Sequence, residues 1–391
     1  MTPSPSKSDR RNLFILLLSL ALVGSLVTIG WGMVRYRLPG KLWRSYDKWK
    51  EPIPHIEFSK TYWPVTGKPK YHFTDADASP DALAAWRTRG RDKLRELLGV
   101  NFPTAPYSAR SLGSDDLGDV TRELLILTAP DNLEIPAYLI APKAPGKRAA
   151  LVVVPGHSSG IVATAGVVQD YQHAKALTLA RAGYVVLTME VRGFGYLARM
   201  SVPPEGVDVD CHVAYALVRG TTALGMTMND VAGGFNYLAT LPSVDAQRFG
   251  LVGFSSGGRT AIYYAALDDR VRAVIASGCV MSNDTTFRYS GHGAYEAVPQ
   301  KSLWLEMSDC LGLIAPRPLL VHWGEKDNNV QARCAAFNES SLTEYAAAEK
   351  IYQAAGAAKM IEKVITPNLG HEFDNAAAIE FLGRHLPPAI P

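Results

Sequence analysis

Ser255 lies in Gly253-Phe254-Ser255-Ser256-Gly257, between the apolar run "FGLVGF" and the helix-forming run "GGRTAIYYAAL". The pattern is G-x-S-x-G. It suits a serine at the tip of a tight strand-to-helix turn, where the hydroxyl projects and small residues two before and two after avoid collision. Glycine spacing selects Ser255, because reading Ser256 as the projecting residue loses the first glycine. A serine hydroxyl is a poor nucleophile until a base accepts its proton, and that base needs an acid to orient it.

Both partners are expected later in the chain, acid first and histidine last, each just past a strand. "PRPLLVHWGEKDNNV" reads as a strand ending at Gly324 with Asp327 in the following turn, and "KVITPNLGHEFDN" as a strand followed by a loop holding His371. Glu325 competes as the acid, whereas Asp309 lies too early. His322 falls inside a strand and reads as a core residue, and His385 falls in the last helix. An oxyanion requires two preorganised N–H donors. The backbone N–H of Ser256 is one candidate, and "PGHSSG" after the strand "LVVV" nominates that of His157 or Ser158 for the second.

The elements that must hold these groups are readable from their periods. "TRELLILTA" and "EIPAYLIAP" flank "PDNL" as a hairpin. Apolar strands follow at 150–156, 184–190, 249–254, 271–277, 318–324 and 359–367, alternating with helical patterns near 169–182, 226–240, 257–267, 331–355 and 375–386. Strands apolar throughout and separated by helices predict an α/β fold with a mostly parallel sheet covered on both faces. The stretches 193–224 and 279–316 break the alternation and are long enough for lid-like insertions. They carry Phe194, Tyr196, Phe287, Tyr289, Tyr295 and Trp304, with Phe194 and Trp304 the leading candidates for pocket walls. Upstream, Ser79 and Pro80 open an amphipathic helix that Gly99 closes, within an N-terminal helical extension over 79–119.

Of the 391 residues, 47% are apolar and 20% charged, and the net charge is only +3, so a large core is possible and nucleic acid is an unsuitable partner. The four cysteines are scattered without a CxxC pair, which argues against a zinc site. Cys279 and Cys310 could pair in an oxidising compartment or remain free. After a short basic tail (1–12), Leu13 to Val34 form an uncharged run of 22 residues. As a helix it spans roughly 30 Å, which predicts an uncleaved transmembrane anchor ahead of a linker or wrapping arm (35–78) and a catalytic domain (120–391). The basic tail resembles an export signal and points to an extracytoplasmic domain, while Arg35, Arg37, Lys41, Arg44, Lys48 and Lys50 argue the opposite orientation.

On "VRGFG", "NYLATLPSVDAQRFGLVGFSSGG", "APRPLLVHWGEKD" and "GHEF", residues 120–390 resemble the α/β-hydrolase superfamily. Within it the chain is similar to the branch of acetyl xylan esterases, cephalosporin-C deacetylases and dienelactone-hydrolase-like enzymes. The resemblance implies a serine hydrolase of carboxylic esters, with nucleophile, acid and base at Ser255, Asp327 and His371. The substrate would be a small-molecule or carbohydrate ester, and no metal or organic cofactor would be needed. Two departures stand out: Glu190 where relatives usually carry aspartate before the Arg-Gly, and "PGH" where many carry a His-Gly pair. A prolyl-oligopeptidase-type peptidase shares the order of the three groups, but the stretch between anchor and hairpin is too short for a propeller. An inactive membrane-tethered binding protein is the other rival, and such proteins usually lose a member of the triad.

Overall fold

The computed structural model describes residues 67–157, 160–199, 209–289, 294–327 and 334–389, all within the compact unit Thr66–Pro391. Among the described residues nine strands form one sheet: β1 (Ser108–Asp116), β2 (Val120–Thr128), β3 (Glu134–Pro142), β4 (Arg148–Val154), β5 (Val185–Met189), β6 (Val244–Phe254), β7 (Val271–Ser277), β8 (Leu319–Gly324) and β9 (Ile361–Thr366). Their spatial order is β1-β2-β3-β5-β4-β6-β7-β8-β9. The first three strands are antiparallel and join β5 antiparallel; from β5 to β9 every pairing is parallel. The mostly parallel α/β sheet therefore agrees with the sequence pattern.

The unbroken apolar runs have a simple cause: both faces of the inner strands are covered. Val152 and Val154 of β4 join one core cluster, with the helices Ala223–Leu238 and Ser256–Leu267, while Leu151 and Val153 join another, with Lys175–Arg181 and Asn375–His385. The helix Pro80–Leu98 begins with the Ser79 hydroxyl accepting the Ala82 N–H at 3.4 Å and ends at Gly99 in the left-handed region. It buries Leu83, Trp86, Leu94 and Leu98, each worth about 1.5–3 kcal/mol when removed from water. The Trp86 indole also donates to the Tyr71 carbonyl at 2.8 Å, which ties the end of the predicted arm to this helix.

Two expectations need correction. The predicted anchor at 13–34 lies outside the described residues, and among those described no helix is long and apolar enough to cross a membrane. The helical extension over 79–119 is helical only to Leu98; Ser108–Asp116 is instead an edge strand, exposed at every position and kinked by a bulge between Ser111 and Gly113. A strand with no buried face has no apolar alternation to read. Cys279 and Cys310 are buried free thiols.

Candidate active site

Phe254 ends β6 and Ser256 begins a helix of 12 residues, so Ser255 alone makes the turn between them. Its backbone sits at φ 55° and ψ −123°, a region that costs a non-glycine residue about 1–3 kcal/mol and persists only when its surroundings hold it. The Ser255 N–H donates to the Ser277 carbonyl at 2.8 Å, and the Ser255 carbonyl accepts the Arg259 N–H at 3.2 Å. The flanking glycines are required by contact. A Cβ on Gly253 would lie 2.1 Å from the Gly257 carbonyl oxygen, and one on Gly257 would lie 2.4 Å from that of Val154.

Asp327 and His371 arrive on the neighbouring strands. Asp327 follows β8, is 1% exposed, and accepts from His371 Nδ1 through both carboxylate oxygens, at 3.0 and 3.1 Å. The loops carrying them are pressed together: a Cβ on Gly324 would lie 2.2 Å from the Gly370 carbonyl oxygen, and the Lys326 N–H donates to Leu369 O at 2.8 Å. The imidazole is brought to the serine turn by its packing. Its ring centroid is 4.7 Å from that of Phe254, and a Cβ on Gly278, the residue after the Ser277 anchor, would lie 3.1 Å from His371 Cε1. Ser255, His371 and Asp327 thus gather over three strands, β6, β8 and β9, at the carboxyl edge of the sheet, where open α/β sheets bind ligands.

The rival groups have other partners. Glu325 Oε2 accepts the Asn368 N–H at 2.9 Å and so fastens the His371 loop. Asp309 accepts the N–H groups of Phe73 and Glu306. His322 bonds the Ser277 hydroxyl at 2.7 Å and Thr366 Oγ1 at 3.1 Å, and burial depresses its pKa to about 4, so it is a neutral core histidine. His385 in the last helix pairs with Glu362 at 2.6 Å.

Between β4 and the helix Ile161–Thr164 runs the loop with His157; Ser158, the alternative donor, lies outside the described residues. Three anchors that the sequence did not suggest hold this loop. The Gly156 N–H donates to Gln172 Oε1 at 2.8 Å, the Tyr171 hydroxyl donates to the His157 carbonyl at 2.6 Å, and the Glu190 carboxylate sits under Gly160. Gln172 Oε1 also accepts from Lys175 Nζ at 2.7 Å. Lys175 is fully buried against the rings of Phe254 and Phe373, and burial lowers its pKa well below that of an ordinary lysine. Of these anchors only Glu190 left a trace in the sequence, as an unusual residue before Arg192-Gly193.

Phe194 is buried beside this loop, its ring edge-on to His157 and to Tyr295, at 4.7 Å in each case. Trp304 is elsewhere: it packs on Tyr71 at 5.1 Å with Lys70 and Lys93 over its ring, so it closes the junction with the helix Pro80–Leu98 and not the serine turn. Its aromatic character within an insertion was the misleading signal. Tyr196 is largely exposed, Tyr295 is buried with its hydroxyl 2.6 Å from that of Thr227, and Phe287 is half-buried in the helix Asn283–Tyr289. A cavity of about 400 Å³ opens where the loop after β5 meets the β2–β3 turn, bordered by Asp131, Arg192, Gly193 and His212. The Arg192 guanidinium there is already committed to Asp131 and to buried Asp230, at 2.6 Å each.

Residues 126–286 match the acetyl xylan esterase (AXE1) family. The protein YtaP of Bacillus subtilis (strain 168) is 27% identical over 314 residues, which is 77% of this chain and the whole of that protein. Among solved structures, methylesterase BT1017 superposes with a TM-score of 0.62 at 19% identity, covering 82% of this chain and 70% of its own. The glucuronoyl esterase from Solibacter usitatus gives 0.57 at 16% identity, covering 81% and 97%. At such identities the structural likeness establishes a shared fold.

Proposed function

We propose that the chain is an α/β-hydrolase acting on carboxylic esters, that Ser255, His371 and Asp327 form its catalytic triad, and that it removes short acyl groups, acetyl foremost, from alcohols. The observation that carries this reading is the two-oxygen contact of buried Asp327 with His371 Nδ1, next to a serine strained at φ 55°.

An ionised carboxylate only accepts hydrogen bonds, so Asp327 keeps the proton on Nδ1 and leaves Nε2 as the base. Ser255 Oγ attacks the ester carbonyl carbon while Nε2 takes its proton, and the imidazolium is stabilised by Asp327. The carbonyl oxygen, now negative, turns toward the backbone N–H groups of Ser256 and His157. Ser256 opens its helix, and the first N–H groups of a helix have no intrahelical acceptor. Nε2–H then protonates the departing alcohol, leaving an acyl-enzyme. Water enters, loses a proton to Nε2, and frees the acid. The buried Phe194 ring beside His157 limits the space near the oxyanion loop, which favours a small acyl group over a long one.

The test combines a probe with a substrate series. A fluorophosphonate should label the wild type and not Ser255→Ala. Esters graded by acyl length, an amide and a short peptide should then be cleaved in the order short ester first, peptide not at all. Equal labelling of Ser255→Ala, or cleavage of the peptide without the esters, refutes the proposal.

A further inference from the structure

We infer that Glu190 is a positioning residue: its buried carboxylate holds the oxyanion loop after β4 and the Phe194 loop after β5 in one fixed relation. The inference rests on the esterase reading above. Glu190 directly follows β5, is 2% exposed, and is pinned by its own N–H to the Pro136 carbonyl at 2.9 Å. Its Oε1 accepts the Val191 N–H at 3.3 Å and its Oε2 the Tyr196 N–H at 3.1 Å, while the Ile161 N–H also points to the carboxylate. Ile161 begins the short helix after the oxyanion loop, and Tyr196 lies in the first turn of the helix after Phe194. One side chain thus accepts from both loops.

Each loop is shaped to let the carboxylate in. Gly160 has φ +70°, and a Cβ there would lie 2.3 Å from Glu190 Oε1. Gly195 has φ +49°, and a Cβ there would lie 2.2 Å from Oε2. Among the described residues no cation bonds this carboxylate, since Arg192, two residues on, is committed to Asp131 and Asp230. Burying an unpaired carboxylate is costly, so an apolar side chain would fill the space more cheaply. What only a carboxylate supplies is two acceptor oxygens at once. The corresponding amide offers one acceptor and directs an NH₂ group at a backbone N–H. The two loops meet again above the carboxylate, where Phe194 packs on His157. A shift of the Glu190 joint therefore moves the His157 N–H relative to Ser256 N–H, and the oxyanion loses one donor's alignment.

The distinguishing readout is kcat against KM, both per fluorophosphonate-titrated serine, for 4-nitrophenyl acetate with Glu190→Gln and Glu190→Asp in the full chain. A second readout is inhibition by a small boronic acid, whose tetrahedral adduct mimics the charged intermediate. A misaligned donor should lower kcat by about 10²-fold with KM within about threefold, and weaken the boronic acid by a similar factor. Glu190→Asp, which keeps the charge but shortens the reach, should fall between wild type and Glu190→Gln. If Glu190→Gln does not fold, Gly160→Ala attacks the joint from the loop side and should give the same kcat-selective loss. Variants with kcat per titrated serine within about twofold of wild type overturn the assignment. A wild type that reacts with neither ester nor fluorophosphonate overturns the esterase reading instead.

Discussion

Gly257 offers the sharpest test of how the nucleophile turn meets the oxyanion loop. Gly257→Ala places a methyl carbon 2.4 Å from the Val154 carbonyl oxygen and 2.5 Å from that of Pro155. Side-chain Cβ atoms do not approach a neighbour closer than 3.0 Å, so helix and loop must part by at least about 0.6 Å. Val154 and Pro155 lead directly into Gly156 and His157, and the Ser256 N–H precedes the new methyl by one residue. The displacement therefore falls between the two proposed oxyanion donors. A misplacement approaching 1 Å costs about 10²-fold in rate, and complete loss of one donor about 10²–10³-fold, or about 2.7–4 kcal/mol. Overpacking should also lower stability by about 1–3 kcal/mol, which a large domain can absorb while remaining folded. Purified Gly257→Ala should give the wild-type circular dichroism spectrum, a lower melting temperature, nearly unchanged KM for a short ester, and kcat reduced by about 10²-fold or more. A variant with kcat within about threefold of wild type would show that the two donors do not face one oxyanion.

Three other outcomes follow from particular contacts. Asp327→Asn reverses the hydrogen bond to His371 Nδ1, stabilises the wrong tautomer, and should lower kcat at neutral pH by about 10⁴-fold without unfolding the chain; a loss below tenfold speaks against the triad. Asp230→Ala removes a buried partner of Arg192 and the acceptor of the Tyr107 hydroxyl, and should cost about 3–5 kcal/mol in urea unfolding; a change under 1 kcal/mol would mean that Asp131 suffices. Burial raises the Glu190 pKa from 4.5 to about 7, so between those two pH values the native state keeps a proton that the unfolded chain has released, and above them the carboxylate is ionised with both oxygens accepting. The Glu190 contribution to stability is thus full below about pH 4.5 and declines as pH rises through 7, by an amount on the order of 3 kcal/mol. Unfolding at pH 5 and pH 8 should show wild type losing ground to Glu190→Gln at the higher pH; an unchanged difference would mean that the carboxylate is ionised throughout.

The inner strands were legible because burial on both faces writes itself as an uninterrupted apolar run, and the turns after β6, β8 and β9 could be located from where those runs stop. Ser255, Asp327 and His371 were nominated from those stops, and the folded chain brings all three to one edge. β1 was not legible, because a wholly exposed edge strand lacks any apolar period. Gln172, Tyr171 and Glu190 were not legible as loop anchors either. Each acts through a backbone group between 14 and 29 residues away, and no local spacing encodes such a contact. Trp304 misled because an aromatic residue in an insertion serves a pocket wall and a packing joint equally well. Only its neighbours Tyr71 and Lys93 decide between the two.

The dispersal of the site over β6, β8 and β9 has a consequence for how the chain matures. The Asp327–His371 contact depends on the β8–β9 pairing, in which Gly324 lies opposite Thr366, and the anchor of Ser255 depends on the end of β7. Parallel pairings of this kind close long loops and form slowly. During refolding, backbone order in the helices should return well before any ester is hydrolysed. Turnover then serves as a clock for the last step of sheet assembly, and a chain interrupted before Ile361 would lack both the outer partner strand of β8 and His371.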